Sequence, residues 1–151
     1  AAQHLLKYLK GEPSLGILLS NNPTFDLQAY CDANWASCAD SRRSVSGFVV
    51  FFGNTLIAWK SKKQVIVSLS SAEAEYKSLR RVVAELSWLS RLLHQLTITS
   101  SMPIPVKCDN LAAILSVKHW CMMNPSRSSL IFKLDHGVFE VYFSKGESSL
   151  R

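Results

Sequence analysis

Leu27-Gln28-Ala29-Tyr30-Cys31-Asp32-Ala33-Asn34-Trp35 alternates small or apolar residues with more polar ones, and its Cys-Asp pair returns later in Val106-Lys107-Cys108-Asp109. A period of two marks a strand with one buried face. It puts Leu27, Ala29, Cys31, Ala33 and Trp35 on one face and Gln28, Tyr30, Asp32 and Asn34 on the other. If the two segments lie side by side and parallel, both thiols tuck inward and both carboxylates emerge together. Ligands of open α/β sheets gather at that carboxyl edge.

Working outward, strands are expected over Gly47 to Phe52 and Thr55 to Trp59, with Gly53-Asn54 turning them into a hairpin. A helical pattern runs from about Ser71 to Leu96; a short strand ending at Cys108 follows Pro103 and Pro105, and a helix is expected from about Asn110 to Val117. Upstream, Ala2 to Leu9 reads as a short helix stopped by Gly11 and Pro13, and Asn21-Asn22-Pro23 is a break. Three strands, a crossover helix, a strand and a helix make an α/β fold in which three antiparallel strands are joined by parallel ones.

With 151 residues, 48% of them hydrophobic, the chain can bury one core. No apolar run approaches the roughly 18 residues of a membrane span and no signal peptide opens the chain, so neither a membrane partner nor export is expected. The net charge of +6 gathers at Arg42-Arg43, Lys60-Lys62-Lys63 and Arg80-Arg81, which suits a polyanion and also suits an ordinary surface. Cys31, Cys38, Cys108 and Cys121 lack the paired spacing of a zinc site, so free thiols with a packing role are expected. No glycine-rich phosphate loop is present, which argues against a nucleotide-cofactor enzyme.

On the long helix, Leu79, Val82, Leu86, Leu89 and Leu93 form one apolar stripe that contains Glu75. Glu73 lies nearly opposite and, with Ser70, fits a capping box. A carboxylate that faces the sheet pays for desolvation unless it meets a cation or strong donors, though a first-turn glutamate also suits the helix dipole. Asp109 is open to two roles, helix N-cap or ligand. Asp32, Glu75 and Asp109 together suit hard ions such as Mg²⁺ or Mn²⁺, and two ions about 4 Å apart support metal-assisted phosphodiester hydrolysis.

Five ordered blocks complete the reading: Tyr30-Cys31-Asp32-Ala33-Asn34-Trp35-Ala36, Asp40-Ser41-Arg42-Arg43-Ser44-Val45-Ser46-Gly47, Trp59-Lys60-Ser61-Lys62-Lys63-Gln64, Ser70-Ser71-Ala72-Glu73-Ala74-Glu75-Tyr76 and Cys108-Asp109-Asn110. Together they resemble the ribonuclease H domain of copia-type LTR retrotransposon polyproteins. The resemblance implies a ribonuclease H-like mixed sheet of about five strands flanked by helices. It also implies two Mg²⁺ ions (or Mn²⁺) and cleavage of the RNA strand of RNA–DNA hybrids. By motif position, Asp32, Glu75 and Asp109 carry over as metal ligands and Asn34, Ser71 and Asn110 as hybrid contacts. Lys60, Lys62 and Lys63 are candidates for holding phosphates, with a solvated loop as their alternative. His4 to Gly11 resembles the end of a reverse transcriptase connection region, so residues 1–24 are expected to be its tail and 25–151 the ribonuclease H-like domain. An opening Ala1 agrees with a piece of a longer reverse transcriptase polyprotein, found in cytoplasmic virus-like particles or the nucleus.

After Val117 the text departs from that family. Asp135 can be aligned as the fourth metal ligand only across an insertion or shift, and Gly137 weakens any helix that would carry it. His119 and His136 do not match the position of the family's mobile histidine. The second expectation is therefore a decayed, hybrid-binding remnant that cleaves weakly or not at all. The distance of Asp135 from the other three carboxylates discriminates the two.

Overall fold

A computed structural model describes residues 2–11, 14, 16–21, 26–98, 100–123, 130–135 and 138–143. Its elements are α1 (Ala2–Gly11), β1 (Leu27–Asn34), β2 (Val45–Phe52), β3 (Thr55–Lys63), α2 (Ser71–Gln95), β4 (Ile104–Lys107), α3 (Leu111–Met123), β5 (Leu130–Asp135) and β6 (Val138–Phe143). Among the described residues no helix is long and apolar enough to cross a membrane.

The six strands form one sheet in the order β3-β2-β1-β4-β6-β5. β1, β2 and β3 meander antiparallel, Gly53 making their second turn at φ 57°, a conformation that favours glycine. β4 then lies parallel to β1, pairing Ala29 with Val106 and Tyr30 with Lys107. Two expectations change here. The sheet has six strands instead of about five, and β6 joins β4 antiparallel, leaving a single parallel pair. The lysines at 60, 62 and 63 also prolong β3 along the sheet edge instead of forming a loop.

Alternation along β1 buries Leu27, Ala29, Cys31 and Ala33 and exposes Tyr30, Asp32 and Asn34. Trp35 leaves the buried face assigned to it by alternation, because β1 ends at Asn34 and Ala36 turns the chain at φ 49°. Its indole Nε1 donates to Ser68 O at 2.9 Å.

α2 covers the buried face with Leu79, Val82, Leu86 and Leu89, which join Leu27, Ala29, Val50 and Val106 in one core. α3 adds Ile114 and β6 adds Val141. The start of α2 is fixed from several sides. Ser70 Oγ accepts from Glu73 N at 3.1 Å, Glu73 Oε2 accepts from Leu69 N at 2.7 Å, and Glu73 Oε1 pairs with Lys77 Nζ at 2.8 Å. Ser70→Ala is therefore expected to cost about 1 kcal/mol, read as a lowered denaturant midpoint at unchanged slope. An unchanged midpoint refutes the assigned cap.

Candidate metal centre

Two elements carry the aspartates and a third brings the glutamate between them. The parallel register of β1 and β4 ends at Tyr30 and Lys107, and Cys31-Asp32 and Cys108-Asp109 follow it at the same carboxyl end of the pair. Both cysteines are buried, and Asp32 and Asp109 are exposed and line one shallow cleft of about 750 Å³. Tyr30, Trp59, Lys60 and Lys107 line it too. Lys107 Nζ lies 3.3 Å from Tyr30 OH and 5.0 Å from the centre of its ring.

α2 delivers Glu75 from beneath. Ser78, one turn on, anchors this part of the helix, its Oγ lying 2.8 Å from Asp32 O and 3.0 Å from Gly47 O. Glu75 is only 5% exposed. Its Oε1 accepts from Ala33 N at 2.9 Å, while Oε2 has only the Cys108 thiol, 3.9 Å away, among the described residues. Ligand atoms of Glu75, Cys108 and Asp109 all lie within 4.8 Å of one another. Asp32 stands on the other face of β1, close enough for its charge to act on Glu75.

Burial pushes the Glu75 carboxyl up to about 7; the Ala33 hydrogen bond opposes this, and negative charge at Cys108, Asp32 and Asp109 adds to it. A buried carboxylate crowded by acids, with one oxygen held only by a long thiol contact, favours either a proton or a cation. The carboxylates of Glu75 and Asp109 suit a hard divalent ion, and Asp32, which lines the same cleft as Asp109, lies outside the group whose ligand atoms are within 4.8 Å of one another.

In the metal-free protein, a folded-state pKa raised from 4.5 means that the native state binds this proton more tightly than the unfolded chain does. Its contribution to stability is complete below about 4.5 and is lost as pH rises through about 7. Glu75→Gln is expected to flatten that loss in urea unfolding compared between about pH 5 and about pH 8. An equal pH slope in the variant and the parent contradicts the assignment.

The cap of α3 resolves the two roles of Asp109. Asn110 Oδ1 accepts from Ala113 N at 3.0 Å, so Asn110 is the N-cap and Asp109 is left free to face the cleft. Asn34 ends β1 and Ser71 opens α2, both exposed near the cluster's two elements. Lys60 lines the cleft. Lys63 Nζ donates to Cys38 Sγ at 2.9 Å, while at Lys62 the bonded group is the backbone carbonyl, which accepts from Arg81.

Asp135 ends β5, its backbone paired with Val138, which in turn faces Lys107. Three strand spacings separate β5 from β1, roughly 14 Å at the usual strand separation. The strand order thus does not bring this aspartate beside Asp32. His119 is exposed on α3, and His136 lies outside the described residues.

Two contributors escape the sequence reading. Cys108 enters the donor set because its partners come from α2 and the loop after β4, which no local spacing reveals. Gln64, 2% exposed, ties the cluster's helix to the sheet: Nε2 donates to Ser46 Oγ at 2.8 Å and Ala74 O at 3.0 Å, and Oε1 accepts from Ser68 Oγ at 2.8 Å.

The chain is similar to retrovirus-related Pol polyproteins. It is 43% identical over 113 residues to that of transposon RE2 and 42% identical over 113 residues to that of transposon RE1, both from Arabidopsis thaliana, in each case 75% of this chain. The polyprotein of transposon TNT 1-94 from Nicotiana tabacum is 33% identical over 114 residues, 76% of this chain. The chain spans about 8% of the length of each of these relatives. No family model matches the chain, and no solved structure matches it.

Proposed function

We propose that the chain is the ribonuclease H part of a retrotransposon Pol polyprotein, hydrolysing the RNA strand of RNA–DNA hybrids. One observation carries the reading: Asp32 on β1 and Asp109 just past the end of its parallel neighbour β4 line one cleft, with the buried Glu75 carboxylate under the charge of both. Similarity to Pol polyproteins supports the retroelement setting.

Asp32, Glu75 and Asp109 would hold two Mg²⁺ ions, which supply an activated water and neutralise charge on the leaving oxygen. The Ala33 N–H orients Glu75. Lys60 and Lys107 put positive charge beside the carboxylates, where a phosphodiester backbone would run. Asn110 has its Oδ1 committed to the helix cap, leaving its amide N–H groups for the hybrid. With Asn34 and Ser71 it offers short polar groups suited to 2′-hydroxyls in a shallow minor groove. Residues 25–151 form the nuclease unit in this reading, and the rest of the reverse transcriptase is its covalent partner.

The test is an end-labelled RNA–DNA hybrid incubated with the chain and Mg²⁺ or Mn²⁺, beside the matching DNA duplex. Metal-dependent cutting of the RNA strand alone is expected; an uncut hybrid at stoichiometric protein overturns the proposal. The place of Asp135 on β5 favours a second reading, a remnant that binds hybrids without cutting them. Hybrid retained in a filter-binding assay with no cleavage selects that reading.

A further inference from the structure

We propose that Cys108, Glu75 and Asp109 form a second metal-binding donor set, one for a thiophilic divalent ion such as Zn²⁺, overlapping the hard-ion site. The three side chains offer one sulfur and two carboxylates with every ligand atom within 4.8 Å of the others. Zinc takes sulfur at about 2.3 Å and carboxylate oxygen at about 2.0 to 2.2 Å, so the edge of its tetrahedron is about 3.5 Å. Cys108 Sγ and Glu75 Oε2, 3.9 Å apart, already nearly span such an edge.

Burial and bonding around the three ligands point the same way. Glu75 is 95% buried on its 5% exposure, and its Oε2 has no partner among the described residues outside this set. Its other oxygen is held by Ala33 N–H, the kind of outer bond that orients a ligating carboxylate. Cys31, buried on the neighbouring strand β1, packs in the core on the same side, leaving Cys108 as the sulfur whose partner is the Glu75 carboxylate. Asp109, exposed at the cleft, gives an entering ion its first contact and leaves a fourth position for water.

Asp32 is the residue that separates the two donor sets. A hard ion prefers three oxygens and has no use for thiolate, whereas a thiophilic ion gains the sulfur and can dispense with Asp32. Because Glu75 and Asp109 serve both, the two occupancies exclude each other. Zinc at this position would silence a magnesium-dependent activity. The inference shares two residues with the proposed nuclease site but does not depend on cleavage.

Co²⁺ is the probe, because thiolate bonded to cobalt gives a charge-transfer band that oxygen ligands do not. Titrating the full metal-free chain is expected to produce that band with a stoichiometry of one. Zn²⁺ should displace it, and excess Mg²⁺ should not. The band should vanish in Cys108→Ser and Cys108→Ala, each checked for native circular dichroism, and persist in Cys38→Ser and Asp32→Asn. No band in the folded parent, or a band that survives loss of Cys108, overturns the proposal. Loss of cleavage in Asp32→Asn with the band intact separates this site from the nuclease reading.

Discussion

Asp32→Asn is expected to lower the rate of RNA-strand cleavage by about a thousandfold, equivalent to about 4 kcal/mol of transition-state stabilisation, while the fold stays intact. The fold should survive because the Asp32 side chain is exposed and only its backbone carbonyl is tied in, accepting from Ser78. Asparagine preserves the shape and removes the charge. It also removes one of the negative charges that act on Glu75, so stability should hold or rise slightly. Initial rates on an end-labelled hybrid, with thermal unfolding as the fold control, measure both. A variant within about tenfold of the parent rate places the hydrolytic metals elsewhere. Asp135→Asn is expected to change the rate far less, because three strand spacings separate β5 from β1.

Gln64→Ala carries the largest expected loss of stability, about 3 kcal/mol, or about 10 °C in a chain of this size. Truncation removes the amide partner of the Ala74 carbonyl and of the Ser46 and Ser68 hydroxyls, Ser68 Oγ keeping the Lys77 ammonium at 3.1 Å. Ser46 and Ser68 are buried, so water cannot easily replace the lost partner. Gln64→Glu keeps the acceptor for Ser68 but loses the amide donor to the Ala74 carbonyl, and should be at least as damaging. Urea unfolding decides the point: a loss under about 1 kcal/mol shows that the network is dispensable. Because Ala74 precedes Glu75, metal binding should weaken in the same variants even at temperatures where they remain folded.

How far the sequence carries can be judged from particular residues. Alternation along Leu27 to Asn34 and the stripe from Leu79 to Leu89 are periodic signals, and the structure returns them as the buried faces of β1 and α2. The separation of Glu73 from Glu75 follows from the same helical phase. Asp109 and Asn110 defeat local reasoning, because both side chains cap helices well and only the bond from Ala113 N distinguishes them. Cys108 defeats spacing rules for another reason: a donor set drawn from a helix and a strand end has no motif. The hairpin of β5 and β6 has strand-like composition, but it lies in the stretch after Val117 that departs from the family text, where no element is assigned. The lysines of β3 look like loop residues in sequence; only pairing with Val45 and Ser46 shows that they are strand.

The pairing of Tyr30 with Lys107 spans 77 positions of chain. Closing a loop of that length costs about 4 kcal/mol in chain entropy before any contact repays it. The β2–β3 hairpin and α2 involve near neighbours and can form early, whereas the aspartates meet only when β4 docks on β1. In the proposed reading metal affinity is a product of late folding, and a chain still emerging from synthesis lacks the carboxylate cluster until β4 has been made. An ion that binds the assembled edge also holds that distant pairing closed, so added metal should slow unfolding more than it speeds folding.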